Sequence, residues 1–279
     1  MSRLEDHTML IKDKVVIITG ASKGLGVSMA EICAAEGAKV VLAARSLDLL
    51  KSVENRIKAK GGIAYSVQCD MSNLHDLQEL VDQTVAKFGA VHGLINNAGV
   101  NYVKAFLDTT EADWERVIGV DLKGSFFLTQ LCARQMVKQN PQGGSIIQIA
   151  SVHTLASLSG SAPYDAAKHG MVGFTKSVAV ELAKYKVRVN VLSPGLCRTE
   201  IWKDIVAAAP SEAECSAYWN DNIPAQRLIE PEEIANACVF LLSDLSSAFM
   251  GANLLADLGM TSQLISREPY DSKVIDGTH

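Results

Sequence analysis

No run of lysine or arginine, no apolar stretch long enough to span a bilayer, and no CxxC, HxxH or HxxxH pairing occurs in the 279 residues. The first absence, with a net charge of −5 and a pI near 5.7, removes the electrostatic footprint that nucleic acid or anionic lipid would require. The second is as informative, since even runs such as Ala237 to Leu242 are far too short for a transmembrane helix. Met1 to Asp13 lack the basic start and apolar segment of a secretory signal. The expectation is a soluble cytoplasmic protein whose partners are small molecules, with no nucleic acid and no membrane. The six cysteines (33, 69, 132, 197, 215 and 238) are scattered, mostly within apolar stretches, where a thiol packs as a small hydrophobe. Neither a disulfide framework nor a protein metal site is expected from such spacing.

What is present is a globular composition, 48% hydrophobic and 20% charged, without a composition break, linker or repeat. Short β-branched runs alternate with stretches of helical period. Val15 to Thr19 reads as a strand, followed by a helix from about Gly24 to Glu36 and a second strand from Lys39 to Ala44. Further strand-like runs lie at Ile63 to Gln68, Val91 to Ile95, Ser145 to Ala150, Val187 to Leu192 and Asn253 to Ala256. Apolar strands separated by helices predict a doubly wound α/β fold of Rossmann type: one domain, with a seven-stranded parallel sheet covered by helices on both faces. In that architecture functional residues gather at the carboxyl ends of strands. The core should span about residues 10–262. Residues 196–227, between the sixth strand and the helix starting at Pro231, read as a lid, and 264–279 as a loose tail or an arm on a neighbouring chain.

The first strand runs into Thr19-Gly20-Ala21-Ser22-Lys23-Gly24-Leu25-Gly26 and then a helix. Glycines there let the backbone turn sharply and approach a pyrophosphate, which the amides and dipole of the helix N-terminus stabilise. The spacing is GxxxGxG rather than GxGxxG. An NAD site normally carries an acid at the end of the second strand, about 20 residues after the glycines. Here the strand ends Ala43-Ala44-Arg45-Ser46. With the acid absent, Arg45 and Lys23 are placed to face a 2′-phosphate, which favours NADP; the alternative is two solvated surface charges.

Of six tyrosines only Tyr164 has a lysine four residues later, Lys168, on the same face of a helix. A nearby ammonium stabilises a phenolate and suits the tyrosine to proton transfer. An ordinary surface pair would share this spacing, so its neighbours decide. Ser151 ends the fifth strand thirteen residues earlier, where with Tyr164 it would cradle an oxyanion. Asn96-Asn97-Ala98-Gly99 follows the fourth strand, and Ser193-Pro194-Gly195 with Thr199 follows the sixth.

Taken together, the glycine turn, Asp70, Asn96-Asn97-Ala98-Gly99, Ser151, Tyr164-xxx-Lys168 and Pro194-Gly195-xxx-Thr199 resemble the compact one-domain branch of the short-chain dehydrogenase/reductase family, over about residues 10–262. The resemblance implies an NADP(H)-dependent oxidoreductase that moves a hydride between nicotinamide and a carbonyl or secondary alcohol. Tyr164 would be the general acid in reduction and the base in oxidation. Lys168 would bind the nicotinamide ribose, and Ser151 would polarise the carbonyl. Gly20, Ser22, Lys23, Gly24, Leu25, Gly26 and Arg45 would hold phosphates. Asp70 and Met71 would meet adenine, Asn97 the adenosine side, and Thr199 with the Cys197 backbone the carboxamide. Homodimers or homotetramers through helices near 110–138 and 162–185 are also implied.

Two departures stand out. Asp121, in Val120-Asp121-Leu122-Lys123-Gly124, occupies a position where the family usually has asparagine. It is either a tolerated near-isostere or a carboxylate that stabilises charged Lys168 and alters, or damages, the proton relay. Leu258 stands where a glycine pair is usual. The lid residues Ile201, Trp202, Ile205, Val206, Tyr218 and Trp219 either line a pocket for an apolar substrate body or pack the lid itself. His153, Leu155, Asn101 and Tyr102 are further candidates for the pocket wall, His153 being a wall residue or a second acid/base. A ketoreductase for small to medium, partly apolar carbonyls is the reading. Its rivals are a 3-oxoacyl-carrier-protein reductase, a sugar or polyol dehydrogenase, and a catalytically silent NADP-binding module.

Overall fold

The central strands are apolar on both sides because they are covered on both sides, while the edge strands are partly exposed. In the computed structural model, which describes residues 9–263, strands β1 (Val15–Thr19), β2 (Lys39–Ala44), β3 (Ile63–Gln68), β4 (Gly93–Asn96), β5 (Gly144–Ile149), β6 (Val187–Pro194) and β7 (Asn253–Ala256) form one sheet. Its order is β3-β2-β1-β4-β5-β6-β7 and every pairing is parallel. Successive side chains of β1 point to opposite faces. Val16 and Ile18 join the core under α1 (Leu25–Ala35), α2 (Leu47–Ala59) and α9 (Pro231–Leu242). Val15 and Ile17 join a second core under α3 (Leu74–Phe88), α5 (Ser125–Lys138) and α6 (Ala162–Leu182).

The predicted strands are all found, with shifted ends in the middle of the sheet. β4 begins at Gly93 rather than Val91, because Val91 exchanges its backbone bonds with the side-chain amide of Gln139 instead of a strand. β5 is displaced one residue towards the N-terminus, and β6 continues to Pro194 alongside β7. The helix expected near 110–138 is three pieces: α4 (Glu111–Val117), a π-helical turn at Ile118–Gly124, and α5. The lid is not a structureless connection, since it holds α7 (Glu200–Ala208) and α8 (Glu212–Asp221). The segment 264–279, read as a tail or arm, lies outside the described residues. All six cysteines are buried, free thiols.

Because β1 pairs with β2 on one side and β4 on the other, the crossovers diverge at β1 and open a crevice at its carboxyl end. The candidate site residues project from loops and helix starts at that end of the sheet, except Lys168, a turn further into α6, and Asp121, inside the π turn.

Candidate active site

The glycine turn after β1 is held in place by the neighbouring strand. Thr19 Oγ1 accepts the backbone amides of Asn97 (3.0 Å) and Ala98 (2.9 Å), and Asn97 Nδ2 donates to the Thr19 carbonyl at 2.9 Å. Gly20 has φ +67°, and a Cβ on Gly26 would stand 2.2 Å from the Gly20 carbonyl oxygen. Side chains are therefore excluded from the turn. No side chain caps α1, whereas Asn73, Thr110 and Ser211 cap α3, α4 and α8. The bare amides of α1, Gly24 and the exposed Lys23 at its threshold are suited to an anion. Ser22 and Leu25 are half-buried in the same turn.

Arg45, after β2, is exposed, and neither it nor Lys23 makes an ion pair among the described residues. Asp70 follows β3, where its Oδ1 accepts both the backbone amide (2.9 Å) and the hydroxyl (2.8 Å) of Ser72. These bonds, chiefly the one from the Ser72 amide, hold its carboxyl below the usual range. Met71 is buried beside it, under Gly124 of the π turn. Asn97 spends its side-chain amide on the Thr19 carbonyl, so its visible work is to clamp the glycine turn. After β6, Cys197 pairs with Ile229 across an isolated bridge, and its carbonyl accepts the Thr199 amide at 2.9 Å. Burial pushes its thiol up to about 12. The side chains of Thr199 and Glu200 lie against Gly24, so the base of the lid meets the phosphate turn. These residues fit a dinucleotide: an exposed backbone cradle, two free cations at one end, and polar groups along the strand ends to the other.

The catalytic candidates meet between β5 and α6. Ser151 is the half-buried residue that opens the turn Val152–Thr154, its Oγ accepting the His153 amide at 3.3 Å. Tyr164 and Lys168 lie one turn apart on α6, with the Lys168 ammonium 5.2 Å from the centre of the Tyr164 ring. Lys168 is 4% exposed. Its Nζ donates to the Ile149 carbonyl at 3.1 Å and stands 3.2 Å from Asp121 Oδ2. Burial works against its charge, but the charges of Asp121 and Tyr164 outweigh it and hold the lysine above its ordinary value. The ammonium is therefore fixed as a cation under the tyrosine. Asp121, fully buried in the π turn, accepts the Val100 amide on Oδ1 at 2.9 Å. Asp121 and Lys168 are thus in ion-pair range of each other, a contact compatible with either reading of Asp121.

Of the two roles open to the six lid side chains, lining a pocket or packing the lid itself, four take the second and form the lid's own core. Trp202 is buried with Cys215, Ile223 and Leu228, and Ile205, Val206 and Trp219 pack against them. Two such short helices do not stay folded without burying apolar side chains, which α7 supplies from one face and α8 through Cys215 and Trp219. Ile201 and Tyr218 remain exposed. His153 is a member of a network that sequence reasoning left unconnected. Its Nδ1 lies 2.5 Å from Asp165 Oδ1, Ser157 donates a short hydrogen bond to Asp165 Oδ2, and the imidazole meets the Tyr164 ring edge-on at 5.3 Å. Asp165 stands beside Tyr164 in the sequence, yet no spacing rule joins it to a histidine twelve residues earlier on a different loop. Asn96 is likewise a buried hub, its amide directed at Ser125, Thr129 and Gln148.

Comparison with known proteins agrees with this arrangement. A family model described as enoyl-(acyl carrier protein) reductase matches residues 20–261. An L-rhamnose 1-dehydrogenase (NAD(P)(+)) from Azotobacter vinelandii is 36% identical over 256 residues, covering 90% of this chain and 98% of its own. A 3-oxoacyl-[acyl-carrier-protein] reductase from Aquifex aeolicus is 34% identical over 251 residues, with 90% and 98% covered. A solved structure assigned as a 2-deoxy-d-gluconate 3-dehydrogenase from Agrobacterium tumefaciens, with bound NADP, superposes with a TM-score of 0.83 at 31% identity, over 92% of this chain and all of that one. On the strength of the sheet order, the strand-end motifs and these full-length similarities, the chain belongs to the short-chain dehydrogenase/reductase family of oxidoreductases.

Proposed function

We propose that this chain is an NADP(H)-dependent ketoreductase acting on the carbonyl, or the corresponding secondary alcohol, of a small to medium and partly apolar substrate. The observation that carries the reading is that Ser151, Tyr164 and Lys168 gather at the end of β5, on the same carboxyl edge of the sheet as the uncapped α1 and its glycine turn. NADPH, when bound, supplies the hydride. The residues of the chain manage the oxygen and its proton: Ser151 donates to the carbonyl oxygen, and Tyr164 delivers its phenolic proton as negative charge develops there. Lys168 stabilises the phenolate left behind and holds the ribose, while Asp70, Met71, Asn97, Cys197 and Thr199 position the rest of the dinucleotide. Lys23 and Arg45, exposed and with no ion pair among the described residues, with no acid at the end of β2, favour the 2′-phosphate of NADP over the bare ribose of NAD. Val103 and Leu155, exposed on the loops after β4 and β5, and Ile201, exposed at the start of α7, would give the mouth an apolar rim.

A second reading, a sugar or polyol dehydrogenase, is favoured by the His153–Asp165 pair, a polar group next to Tyr164 that would accept a substrate hydroxyl. A hydride-transfer assay across aliphatic, aromatic, hydroxylated and thioester-activated ketones, run with NADPH and with NADH, tests these together. NADPH-dependent reduction of apolar ketones is the expected result, with Tyr164→Phe lowering kcat about 100-fold or more. Best turnover on polyhydroxylated substrates selects the second reading. Wild type and Tyr164→Phe alike inactive on every substrate selects a silent binding module, and a preference for NADH removes the cofactor assignment.

The reading extends to a homodimer or homotetramer in the cytosol. Free buried thiols suit a reducing compartment, and among the described residues no helix is long and apolar enough to cross a membrane. Phe126 and Phe174 meet edge-on at the outer face of α5 and α6, beside a groove of about 490 Å³ that a second copy would cover. Light scattering should report a dimer or larger, and Phe174→Glu should shift it towards monomer; a monomeric wild type removes the proposal.

A further inference from the structure

The buried contact between Asp121 and Lys168 bears on the proton chemistry at Tyr164. An ammonium 5.2 Å from a phenol ring would, alone, favour the phenolate by direct attraction. Here a carboxylate stands 3.2 Å from the same ammonium, and both side chains are almost wholly excluded from water, at 0% and 5% exposure. Charges in such surroundings are poorly screened by solvent, so each is felt by its neighbours almost undiminished. At Tyr164 the field of the ammonium is therefore opposed by that of the carboxylate.

The architecture makes the carboxylate hard to replace by its amide. Oδ1 receives the Val100 amide at 2.9 Å and Oδ2 faces the lysine, so both oxygens look at donors. An asparagine has one acceptor and would turn its NH2 towards one of them. Gly99 leaves the room, since a Cβ there would stand 2.9 Å from Oδ2. The site of insertion is the π turn Ile118–Gly124, an irregularity that often marks functional positions in helices.

We propose that Asp121 is a positioning residue that cancels much of the Lys168 field at the Tyr164 hydroxyl, so that Tyr164 becomes a base, as alcohol oxidation requires, only at higher pH than it would beside an uncompensated lysine. The proposal rests on the assignment of Tyr164 as acid/base above. It sets the pH range of each direction without altering the equilibrium of the reaction. Other ionisable groups brought to this place are His153 with its partner Asp165, His169 held at the Asp165 carbonyl, and Tyr102, which shares an apolar cluster with Tyr164 and carries Arg116 over its ring. Of these, His153 is the one whose titration would be felt directly at the Tyr164 ring.

Two measurements test it. In the cofactor-free protein, ultraviolet difference titration of tyrosinate, with Tyr164→Phe subtracted, isolates the Tyr164 transition and needs no turnover. With NADP and a secondary alcohol, the pH midpoint of kcat reads the same transition in the working enzyme. Asp121→Asn should move both midpoints down by roughly one pH unit or more, as expected for exposing one nearby charge. The same shift in a His153→Asn background assigns it to Asp121. If Asp121→Asn does not fold, the double variant Asp121→Asn/Lys168→Met, which removes both charges together, keeps the question open to measurement. Cancelling charges predict a tyrosinate midpoint within about half a pH unit of wild type, since nearly equal and opposite fields are removed. An Asp121→Asn midpoint that is unmoved or raised, or a double variant well above wild type, overturns the proposal. An enzyme inactive on every alcohol leaves the tyrosinate titration in force, so failure of the functional reading and failure of this one are separately visible.

Discussion

At the scale of single residues, the cofactor choice reduces to two side chains and one absence. Lys23 and Arg45 come from different strand ends, and both are exposed and make no ion pair among the described residues, Arg45 lying only within electrostatic reach of Asp70. Charge-assisted hydrogen bonds of the kind each would make to a 2′-phosphate contribute about 1.5–3 kcal/mol. Steady-state kinetics of Lys23→Ala and Arg45→Ala should therefore show KM for NADPH raised about tenfold or more in each variant, with KM for NADH little changed. Equal effects on both cofactors would mean that these residues meet the pyrophosphate instead. Tyr164, Lys168 and Ser151 were legible in the sequence because their spacing implies a shared helix face and a strand end. The His153–Asp165–Ser157 network was not, because it is made by the fold of the loop between β5 and α6, where no periodicity operates. Asp121 was visible as an oddity, but its contact with Lys168 depends on how the π turn packs against α6.

At the scale of elements, strands were read most faithfully where turn residues bound them and least where apolar runs overran the pairing. β1, β2, β3 and β7 have the predicted ends. Val91 is as apolar as a strand residue but serves Gln139. The lid helices carried a signal that was passed over: Ser211-Glu212-Ala213-Glu214 is a helix-start pattern, and Ser211 does accept the Glu214 amide at 3.2 Å. Leu258 shows the opposite case, a non-glycine residue at φ +55° in a turn next to Gly259 at φ +85°. It packs against both the main core and the lid core, which offsets the cost of the left-handed conformation. The end of α9 is tied down by one cation. Arg188 of β6 donates to the Leu241 carbonyl at 2.8 Å, the Ser243 carbonyl at 3.1 Å, and the Ser246 carbonyl and hydroxyl at 3.1 and 2.9 Å. Arg188→Met keeps the apolar stem and removes four charged hydrogen bonds, a loss of about 2–3 kcal/mol, while each of the three carbonyls retains another donor from Ser145, Ser246 or Phe249. Calorimetry should find Tm lower by roughly 5–10 °C; a drop under about 2 °C would show that water replaces the guanidinium without loss.

For the molecule as a whole, acid stability has an identifiable contributor. Glu54 on α2 is 4% exposed, and its carboxylate holds the Ser66 amide of β3 at 3.1 Å between Lys51 and Lys58. Burial opposes its charge, yet the bonds from Lys58, Ser66 and Lys51 prevail and hold its pKa at about 2, below the ordinary 4.5. A depressed carboxyl stabilises the fold at pH values above its unfolded pKa. That stability disappears as pH falls from about 4.5 towards 2, in total roughly 3 kcal/mol. Glu54→Gln should thus be less stable than wild type at pH 7 and lose less on acidification between those limits, as measured by urea unfolding at a series of pH values. Parallel acid limbs for the two proteins would assign the acid sensitivity elsewhere.

The clamp of Asn97 upon Thr19 joins parts of the chain 78 residues apart. A growing polypeptide that has completed only β1, β2 and β3 already contains the whole glycine motif but lacks the strand that holds it in shape. Nucleotide affinity would therefore not accompany the motif itself but would wait until β4 has inserted beside β1 and closed a long loop. Once present, a dinucleotide lying across the ends of strands from both halves of the sheet would act as a tie between them. Its binding energy would add to the stability of the entire domain, and early release of the nucleotide during denaturation would mark the separation of those halves.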